Sequence, residues 1–528
     1  MAEASRGCVY KFGHAVLAII TSIWYHFIAN LFFFINLFKQ REVVPPVDDE
    51  ILLNSAVELA RKIRLREITS EDIVQACIKR IREINDVTNA VVENNFENAL
   101  AEARRVDQAV ASDTCPPVEQ AQLLGVPFTV KDGIAISGML CTAGIPARRD
   151  TRIFRDADCV AALKAAGAIP LAVSNVSEVT MWWESFNTIY GRSNNPYDTR
   201  RGVGGSSGGE GALQTSAGSV LSIGSDIGGS IRIPAAFNGI FGHKPTGNIV
   251  SSAGMVPSAS GFRTSMLSPG PMCRYAEDLA PILRILAGPN AGRLQLDASV
   301  DMKGLRIFYM DSIHSILTKR PDKDMVDAMH RAMKYFETRY NTMCYRLDLS
   351  LVHWAVPMWT EAMHTDSSPP FSQEMCNRTG DLNPYLELLK WIVRQSKHTL
   401  PAISLAIIEQ TLHRFGSEDQ RRLFDHLRIK LVRQLDELLG DNGVLFFPSH
   451  PTPAPFHYQP ILMPMNFAYT GLFNALTLPV TQCPMGLNDA GVPLGIQIVG
   501  ASCRDHLTIA VAQELEKAFG GWVPPGSR

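Results

Sequence analysis

The sequence predicts an α/β protein in which helices alternate with buried strands. The stretches GVPFTVKD (125–132), GSVLSIGSD (218–226) and GVPLGIQIVG (491–500) are apolar and bounded by glycine, proline or acidic residues, as expected for strands buried on both faces. Helical patterns recur between strands, and no period of about 20–50 residues repeats, which argues against solenoids and propellers. The expected fold class is an α/β sandwich.

Composition indicates one large globular domain. The 528 residues are 46% hydrophobic and 19% charged, with a formal net charge of −2 and no basic stripe, so nucleic acid is not an expected partner. The ten cysteines form no CxxC pair, which disfavours a zinc site or a dense disulfide framework. We predict neither a metal nor another cofactor.

The N-terminal region is apolar enough to enter a membrane. Residues 15–38 carry no formal charge and exceed the ~20 residues that a helix needs to cross the hydrocarbon. A secretory signal peptide would be shorter and would end in small residues. We predict a transmembrane or membrane-anchor helix over 12–38, a stiff linker over 39–47 and the main folded body over 48–528. His26, Asn30 and Asn36 leave a monotopic or hairpin-like anchor open.

Several segments of the body have clear local patterns. Ser70 is the predicted N-cap of a helix that continues to Ile84, and residues 156–166 form a helix before the strand AIPLAVSN at 168–175. The region 385–415 predicts two helical segments hinged near Pro401. These are either core helices or a cap that docks on a membrane, with Lys390, Arg394 and Lys397 towards the headgroups.

Two glycine-rich runs surround serines that lie one helix-length apart. They read GGSSGG at 204–209 and GSDIGGSIR at 224–232. A serine that attacks an acyl carbon needs preorganised N–H donors for the developing oxyanion. Because Gly228 and Gly229 lack side chains, the backbone from Ile227 to Ser230 can approach a carbonyl closely, and Ser230 is the predicted nucleophile.

The base predicted for this serine is a lysine. Lys131 follows the strand residues PFTV, and burial there would lower its pKa from the usual ~10.4 until the neutral amine can accept a proton. Ser206 can lie between Lys131 and Ser230 and pass the proton in both directions.

The order of these three residues resembles the amidase signature family. Lys131, Ser206 and Ser230 are separated by 74 and 23 residues, and GGSSGGEGAL together with GSDIGGSIRIPAAFNGIFGHKPT is similar to that family's signature. The resemblance extends over about residues 48–520 and implies an α/β/α sandwich around a mixed β-sheet. It also implies a Ser-Ser-Lys triad made of Lys131, Ser206 and Ser230, with Ile227, Gly228, Gly229 and Ser230 as the oxyanion hole.

Within the family, the sequence is most similar to members that hydrolyse fatty-acid amides. The implied substrates are primary amides such as oleamide and N-acylethanolamines such as anandamide. The implied location is an intracellular membrane or a lipid droplet, with the lipid membrane as a partner; a homo-oligomer is left open.

Two further groups of residues have candidate roles near the nucleophile. The segment VTMWWESF either lines a site for an alkyl chain or is an ordinary part of the core. The candidate substrate-binding residues in it are Met181, Trp182, Trp183 and Phe186. Asp226 and Arg232 flank Ser230, and we expect them to form a charge-assisted pair that holds the loop.

Three other interpretations remain open at this point. GGSSG also fits the nucleophile elbow of α/β-hydrolases, which would make Ser206 the nucleophile of an esterase or lipase and could recruit His450. The chain could be an aminoacyl-tRNA amidotransferase subunit of the same family, although such a subunit would normally lack a membrane segment. It could also be an inactive membrane-tethered binding protein.

Overall fold

A mixed eleven-stranded β-sheet forms the centre of the protein. The computed structural model describes residues 2–364 and 368–527, with the side chains of 2–16, 413 and 415 left out; residues 365–367 and 528 of the predicted body are outside this range. In chain order the strands are β1 (Val91–Asn94), β2 (Pro127–Lys131), β3 (Ile169–Ser174), β4 (Phe186–Asn187), β5 (Gly191–Arg192), β6 (Asn194–Asn195), β7 (Asp198–Gly202), β8 (Leu221–Asp226), β9 (Phe241–Lys244), β10 (Ser268–Cys273), β11 (Arg306–Tyr309), β12 (Cys344–Arg346), β13 (Gly443–Pro448), β14 (Val480–Leu487) and β15 (Pro493–Gly500).

The order across the large sheet is β1-β3-β2-β8-β10-β9-β14-β15-β13-β11-β12. Strands β2, β3 and β8 are parallel, as are β11, β12 and β13, whereas the strands between these two groups pair antiparallel. The pairs β4–β5 and β6–β7 form separate two-stranded sheets. The predicted strands at 125–132, 168–175, 218–226 and 491–500 correspond to β2, β3, β8 and β15.

Helices connect the strands throughout the chain. They are α1 (Ala2–Asn36), α2 (Ala56–Arg64), α3 (Ser70–Thr88), α4 (Phe96–Ala111), α5 (Asp158–Ala165), α6 (Gly208–Thr215), α7 (Arg232–Asn238), α8 (Arg263–Met266), α9 (Leu279–Ala287), α10 (Lys323–Tyr340), α11 (Ala355–Met363), α12 (Phe371–Met375), α13 (Pro384–Ile392), α14 (Leu400–Phe415), α15 (Glu418–Leu439), α16 (Ala468–Ala475) and α17 (Asp505–Phe519).

Strand β13 shows that both faces of the sheet are covered. All six of its residues are buried, and successive side chains enter different cores. Val444 and Phe446 belong to the main core, with α10 and α17, whereas Leu445 and Phe447 belong to a second core with α11, α15 and α16. Because side chains alternate across a strand, helices pack on both sides, and the α/β sandwich prediction is confirmed.

Two local predictions differ from the structure. The N-cap of α3 is Thr69 rather than Ser70: Thr69 and Asp72 form a capping box, while the Ser70 hydroxyl donates to the carbonyl of Gly125. Pro401 is not a hinge but lies in the first turn of α14, where a missing N–H is tolerated. The break between the two helices falls between the C-terminus of α13 and Thr399, the N-cap of α14.

Helix α1 packs one face against the catalytic body. Tyr25, Ile28 and Phe32 are buried in a cluster with Phe456 and Met463, and their spacing follows one side of a helix. The stretch 17–36 is long and apolar enough to cross a membrane, and only 17% of its most apolar window is buried. Large apolar side chains therefore remain on its other faces, among them Ile19, Ile23 and Phe34.

The segment after α1 has no regular secondary structure until residue 50 and is tied to the body. The Arg41 guanidinium donates to the carbonyl of Tyr197, and Val44 is buried, with its N–H bonded to the carbonyl of Pro196. The relation between α1 and the body is therefore fixed by contacts on both segments.

Candidate active site

Lys131 lies at the end of β2 and is buried behind the glycine-rich loops. Its strand pairs with β3 on one side and β8 on the other, so its side chain is 1% exposed. The ammonium nitrogen Nζ lies 2.7 Å from Ser206 Oγ and 3.0 Å from Ser225 Oγ. The two residues predicted to begin the proton relay are therefore in hydrogen-bond contact.

Burial lowers the pKa of Lys131 to about 7, because the charged ammonium loses its hydration. The carboxylates of Asp226, Asp132 and Glu210 act in the opposite direction and keep the pKa from falling further. At neutral pH a substantial fraction of Lys131 is thus the free amine, which can accept a proton from Ser206.

Ser206 lies two residues before the start of α6, after a cis peptide bond to Gly205. The backbone is tightly enclosed here: a Cβ on Gly205 would overlap the carbonyl of Trp182. The carbonyls of Gly204 and Ser206 both accept from the Ser185 hydroxyl, at 3.0 and 3.2 Å. These contacts explain why the sequence needs glycine beside this serine.

Ser230 lies on the loop between β8 and α7 and is partly exposed, unlike Lys131 and Ser206. The two serine loops are joined by the N–H of Ser207, which donates to the Ser230 carbonyl at 3.1 Å. Among the described residues, no hydrogen bond joins Ser206 Oγ to Ser230 Oγ. The structure thus brings Lys131 and Ser206 into contact and places the two serine loops side by side, while no hydrogen bond between described residues joins the Ser230 hydroxyl to Lys131 or Ser206.

The predicted oxyanion loop contains unsatisfied N–H groups. Within the described part of the chain, the N–H groups of Ile227, Gly228 and Ser230 have no protein acceptor, whereas that of Gly229 donates to Asp226 Oδ1 at 2.7 Å. Gly229 has φ +124°, and a Cβ there would overlap Thr470 Oγ1, so only glycine fits. Three of the four candidate donors are therefore available to a ligand.

Asp226 and Arg232 form the expected ion pair, and both are fully buried. The guanidinium donates two bonds of 3.0 Å to the carboxylate and also bonds Asn474 and Gln497. Burial favours the neutral acid, but the charge and hydrogen bonds of Arg232 outweigh it and lower the pKa of Asp226 to about 2. The carboxylate also accepts from the N–H groups of Gly229 and Ile231, so the pair holds the shape of the loop.

The four aromatic-cluster candidates have different surroundings. Met181 packs in a cluster with Ile227 and Trp359, next to the oxyanion loop. Trp182 is half-buried, whereas Trp183 is 4% exposed and donates its indole N–H to the carbonyl of Pro464. Met181 and Trp182 are thus partly buried residues of two different clusters, and Trp183 belongs to the core.

Phe186 lies further out, in β4. The guanidinium of Arg192, on the paired strand β5, stacks 4.7 Å from the centroid of its ring. This cation–π contact gives Phe186 a structural role in the hairpin, and its role in substrate binding stays a prediction.

His450 is not positioned as the base of an elbow serine. It is buried between the rings of Trp183 and Phe237, 5.0 and 4.9 Å away between centroids, and its Nδ1 accepts from the N–H of Thr452. Burial lowers the pKa of His450 to about 3. The group that contacts the Ser206 hydroxyl is the amine of Lys131.

Several residues of the site were not predicted from sequence. Ser225 contacts Lys131, and Trp359, Thr470 and Asn474 contact the oxyanion loop from α11 and α16. Ser225 stands inside the run GSDIGGS and could have been included as a third serine. The other three lie more than 100 residues away in sequence, in segments without a motif.

Comparisons with known proteins show the family to which the chain belongs. A protein-family model described as amidase matches residues 72–509. The chain is 46% identical over 490 residues to fatty-acid amide hydrolase 2 of Homo sapiens, covering 91% of this chain and 92% of the relative. It is also 46% identical over 492 residues to fatty-acid amide hydrolase 2-A of Danio rerio, covering 92% of each. Among solved structures, a fatty acid amide hydrolase superposes with a TM-score of 0.72 at 20% identity, over 91% of this chain and 87% of that one.

Proposed function

Because this chain belongs to the amidase family and is an amide hydrolase similar to fatty-acid amide hydrolase 2, we propose that it cleaves fatty-acid amides at a membrane with a Lys131, Ser206 and Ser230 triad. The observation that carries the proposal is the contact of 2.7 Å between Lys131 Nζ and Ser206 Oγ, deep in the protein. A lysine whose pKa is lowered to about 7 by burial can act as a base at neutral pH.

The first half of the proposed reaction forms an acyl-enzyme. Ser230 Oγ bonds to the amide carbon, its proton passes to Ser206 Oγ, and the Ser206 proton passes to Lys131 Nζ. The carbonyl oxygen becomes an oxyanion facing the N–H groups of Ile227, Gly228 and Ser230. The relay then returns the proton to the substrate nitrogen, the C–N bond breaks, and the amine leaves.

The second half releases the fatty acid. Water attacks the acyl carbon, its proton follows the same relay to Lys131, and the Ser230–acyl bond breaks as the proton returns to Ser230 Oγ. The products are a free fatty acid and the amine, and the triad regains its starting protonation.

Apolar side chains beside the loop support a long acyl chain as substrate. Met181, Ile227 and Trp359 all pack against one buried apolar cluster, and the rings of Trp359 and Phe467 are 4.7 Å apart between centroids in an edge-to-face arrangement. Such walls favour an alkyl chain over a polar acyl group. The relatives named as fatty-acid amide hydrolases agree with this substrate class.

Two exposed apolar surfaces support membrane binding. One is the outer face of α1, and the other is α13, where Tyr385, Leu386, Leu389 and Ile392 are all more than half exposed. Residues 12–38 are the proposed anchor, single-pass or monotopic, residues 39–47 the connection and 48–528 the amidase domain. The apolar area on both surfaces would be covered by lipid.

The test is turnover of oleamide and anandamide by the wild-type protein and by Ser230→Ala and Lys131→Ala. We expect both variants to lose at least about 10³-fold in kcat/KM. Ser216→Ala is the matched control, because this buried hydroxyl has no hydrogen-bond partner among the residues that the structure describes, and its removal should leave turnover unchanged.

Labelling with a fluorophosphonate separates the other interpretations. Peptide mass spectrometry should find the adduct on Ser230. An adduct on Ser206 would support the elbow hydrolase, and a wild-type protein that neither reacts nor turns over either amide would support the inactive binding protein.

A further inference from the structure

The carbonyl groups of the oxyanion loop are held by side chains from distant parts of the chain. Asn474 Nδ2 donates to the carbonyl of Asp226 at 3.0 Å, Trp359 Nε1 to that of Ile227 at 2.8 Å and Thr470 Oγ1 to that of Gly228 at 2.8 Å. Three consecutive peptide groups are therefore fixed through their oxygen atoms.

A side chain that fixes the carbonyl group of a peptide also fixes the direction of the N–H group in that peptide. In a planar trans peptide the C=O and the following N–H point in opposite directions. When Trp359 holds the Ile227 carbonyl, the Gly228 N–H is directed away from the indole, and within the described residues it has no acceptor. Rotation of this peptide would break the indole hydrogen bond and turn the donor away from the oxyanion.

The indole is itself held in place by packing. Trp359 lies on α11 and contacts the ring of Phe467 edge-to-face, at 4.7 Å between centroids. A Cβ added to Gly228 would lie 3.4 Å from the indole, so the ring lies against this glycine. The ring is only partly buried and shares a cluster with Met181. The indole thus donates to the loop and packs against the same buried cluster as Met181.

We propose that Trp359 is a positioning residue for hydrolysis, which fixes the Gly228 N–H as an oxyanion donor through the carbonyl of Ile227. This inference rests on the proposed function. It assigns to α11, which carries no recognisable motif, a part in transition-state stabilisation that is separate from its part in binding the acyl chain. Asn474 acts on the neighbouring peptide in the same way, but it also bonds Arg232 and is less suitable for a test.

The test removes the hydrogen-bond donor while it keeps the shape of the ring. Replacement Trp359→benzothienylalanine, by genetic incorporation, exchanges the indole N–H for sulfur in a bicyclic ring of similar size. Trp359→Phe removes the donor and part of the ring, and Trp354→Phe, on the preceding turn, is the matched control. Thermal unfolding midpoints establish that each variant is folded.

Three quantities are measured for each variant. The first is kcat/KM for oleamide. The second is the inhibition constant of the trifluoromethyl ketone analogue of oleamide, to which Ser230 Oγ adds while its proton moves to the relay and the ketone oxygen becomes an oxyanion. The third is the inhibition constant of oleyl alcohol, which has no carbonyl group.

We expect Trp359→benzothienylalanine to reduce kcat/KM and the affinity for the ketone by the same factor of about tenfold, less than the loss of a direct oxyanion donor. The affinity for oleyl alcohol should change less than about twofold, and Trp354→Phe should match wild type. Trp359→Phe should weaken all three.

The inference is overturned if the isosteric variant keeps wild-type kcat/KM and ketone affinity, or if oleyl alcohol weakens in parallel with the ketone. Either result would make Trp359 a wall of the acyl site only. A wild-type protein that hydrolyses no amide and binds no ketone would instead reject the proposed function, so the two failures can be distinguished.

Discussion

The amine of Lys131 and the hydroxyl of Ser206 lie 2.7 Å apart, although 75 positions separate the two residues in the chain. Lys131 is the last residue of β2 and lies beside the loop that precedes α6. Both side chains are buried, so their contact is shielded from water. Ser225, on β8, is the second contact of the amine. The Ser206 hydroxyl can thus transfer a proton in the proposed relay, while the Ser225 hydroxyl holds the amine in position by a hydrogen bond.

The two serines beside Lys131 should differ in importance. Ser206→Ala interrupts the proposed relay, and we expect kcat for oleamide to fall about 10²–10⁴-fold, the range typical of a lost acid–base group. Ser225→Ala removes only a supporting hydrogen bond and should reduce kcat less than about tenfold. A larger loss for Ser225→Ala than for Ser206→Ala would reverse these assignments.

The pH dependence of kcat/KM should have an acid limb near pH 7. Lys131 must be neutral to act as a base, and its pKa is lowered to about 7 by burial, so activity should rise as pH increases through this value. Glu210 lies near the amine and raises its pKa when ionised. Glu210→Gln should therefore move the limb to lower pH.

Glu119→Gln, at an exposed position, is the control for this experiment. A limb that stays in place in Glu210→Gln, or moves to higher pH, would contradict the electrostatic coupling between Glu210 and Lys131.

Removal of the buried amine should stabilise the fold while it abolishes activity. The pKa of Lys131 is about 7 in the folded protein, against an ordinary value of 10.5. Between these pH values the unfolded chain binds more protons, so the free energy of unfolding of the wild type rises with pH. Lys131→Met removes this penalty.

We expect Lys131→Met to be more stable than wild type by about 1 kcal/mol at pH 7, a typical gain when an active-site strain is relieved. The gain should shrink towards pH 10. Urea unfolding at pH 7 and pH 9 measures both values, and a variant less stable than wild type at pH 7 would contradict the prediction.

The Asp226–Arg232 pair should be important for stability because both groups are inaccessible to water. Asp226→Asn leaves the Arg232 charge without its partner, and we expect a loss of about 3–5 kcal/mol in the free energy of unfolding. The matched control is Glu58→Gln, which removes the exposed ion pair with Arg61 and should cost less than about 1 kcal/mol. Equal losses for both variants in urea unfolding would show that burial does not decide the effect.

The outer face of α1 should decide membrane binding. Ile19 and Ile23 are both at least 60% exposed, so Ile19→Glu with Ile23→Glu should leave the packing of α1 intact. Acidic residues are costly in hydrocarbon, by about 2.5–3.5 kcal/mol each near its centre. The double variant should sediment less with phosphatidylcholine liposomes than wild type.

Val118→Glu, at an exposed position of the body, is the control for added charge. Undiminished sedimentation of the α1 double variant would contradict insertion of this face into lipid.

Local patterns in the sequence predict the strands and the contact of Lys131 with Ser206 better than they predict the residues around this contact. The apolar runs that end at Lys131 and Asp226 form strands that are buried on both faces of the sheet. The glycines beside Ser206 and Ser230 indicate places where the backbone is closely packed. A helix start is less well determined, since Thr69 and Ser70 can both cap and only the tertiary contact of Ser70 with Gly125 decides between them.

The supports of the oxyanion loop could not be predicted from one sequence. Trp359 and Asn474 reach the loop because α11 and α16 pack together in the second core, which no local pattern encodes. In the sequence nothing distinguishes these two residues from other core residues, and only the structure shows that they donate to the carbonyl groups of Ile227 and Asp226.

The Arg232 guanidinium also links the oxyanion loop to segments that are synthesised much later. Its partners Asn474 and Gln497 follow it by 242 and 265 positions, so they leave the ribosome long after Ser230 does. A nascent chain that already exposes Ser230 has no finished loop around it. We therefore expect a polypeptide that stops before β15 to lack Gln497, and with it one of the hydrogen bonds that hold the Arg232 side chain beside this loop.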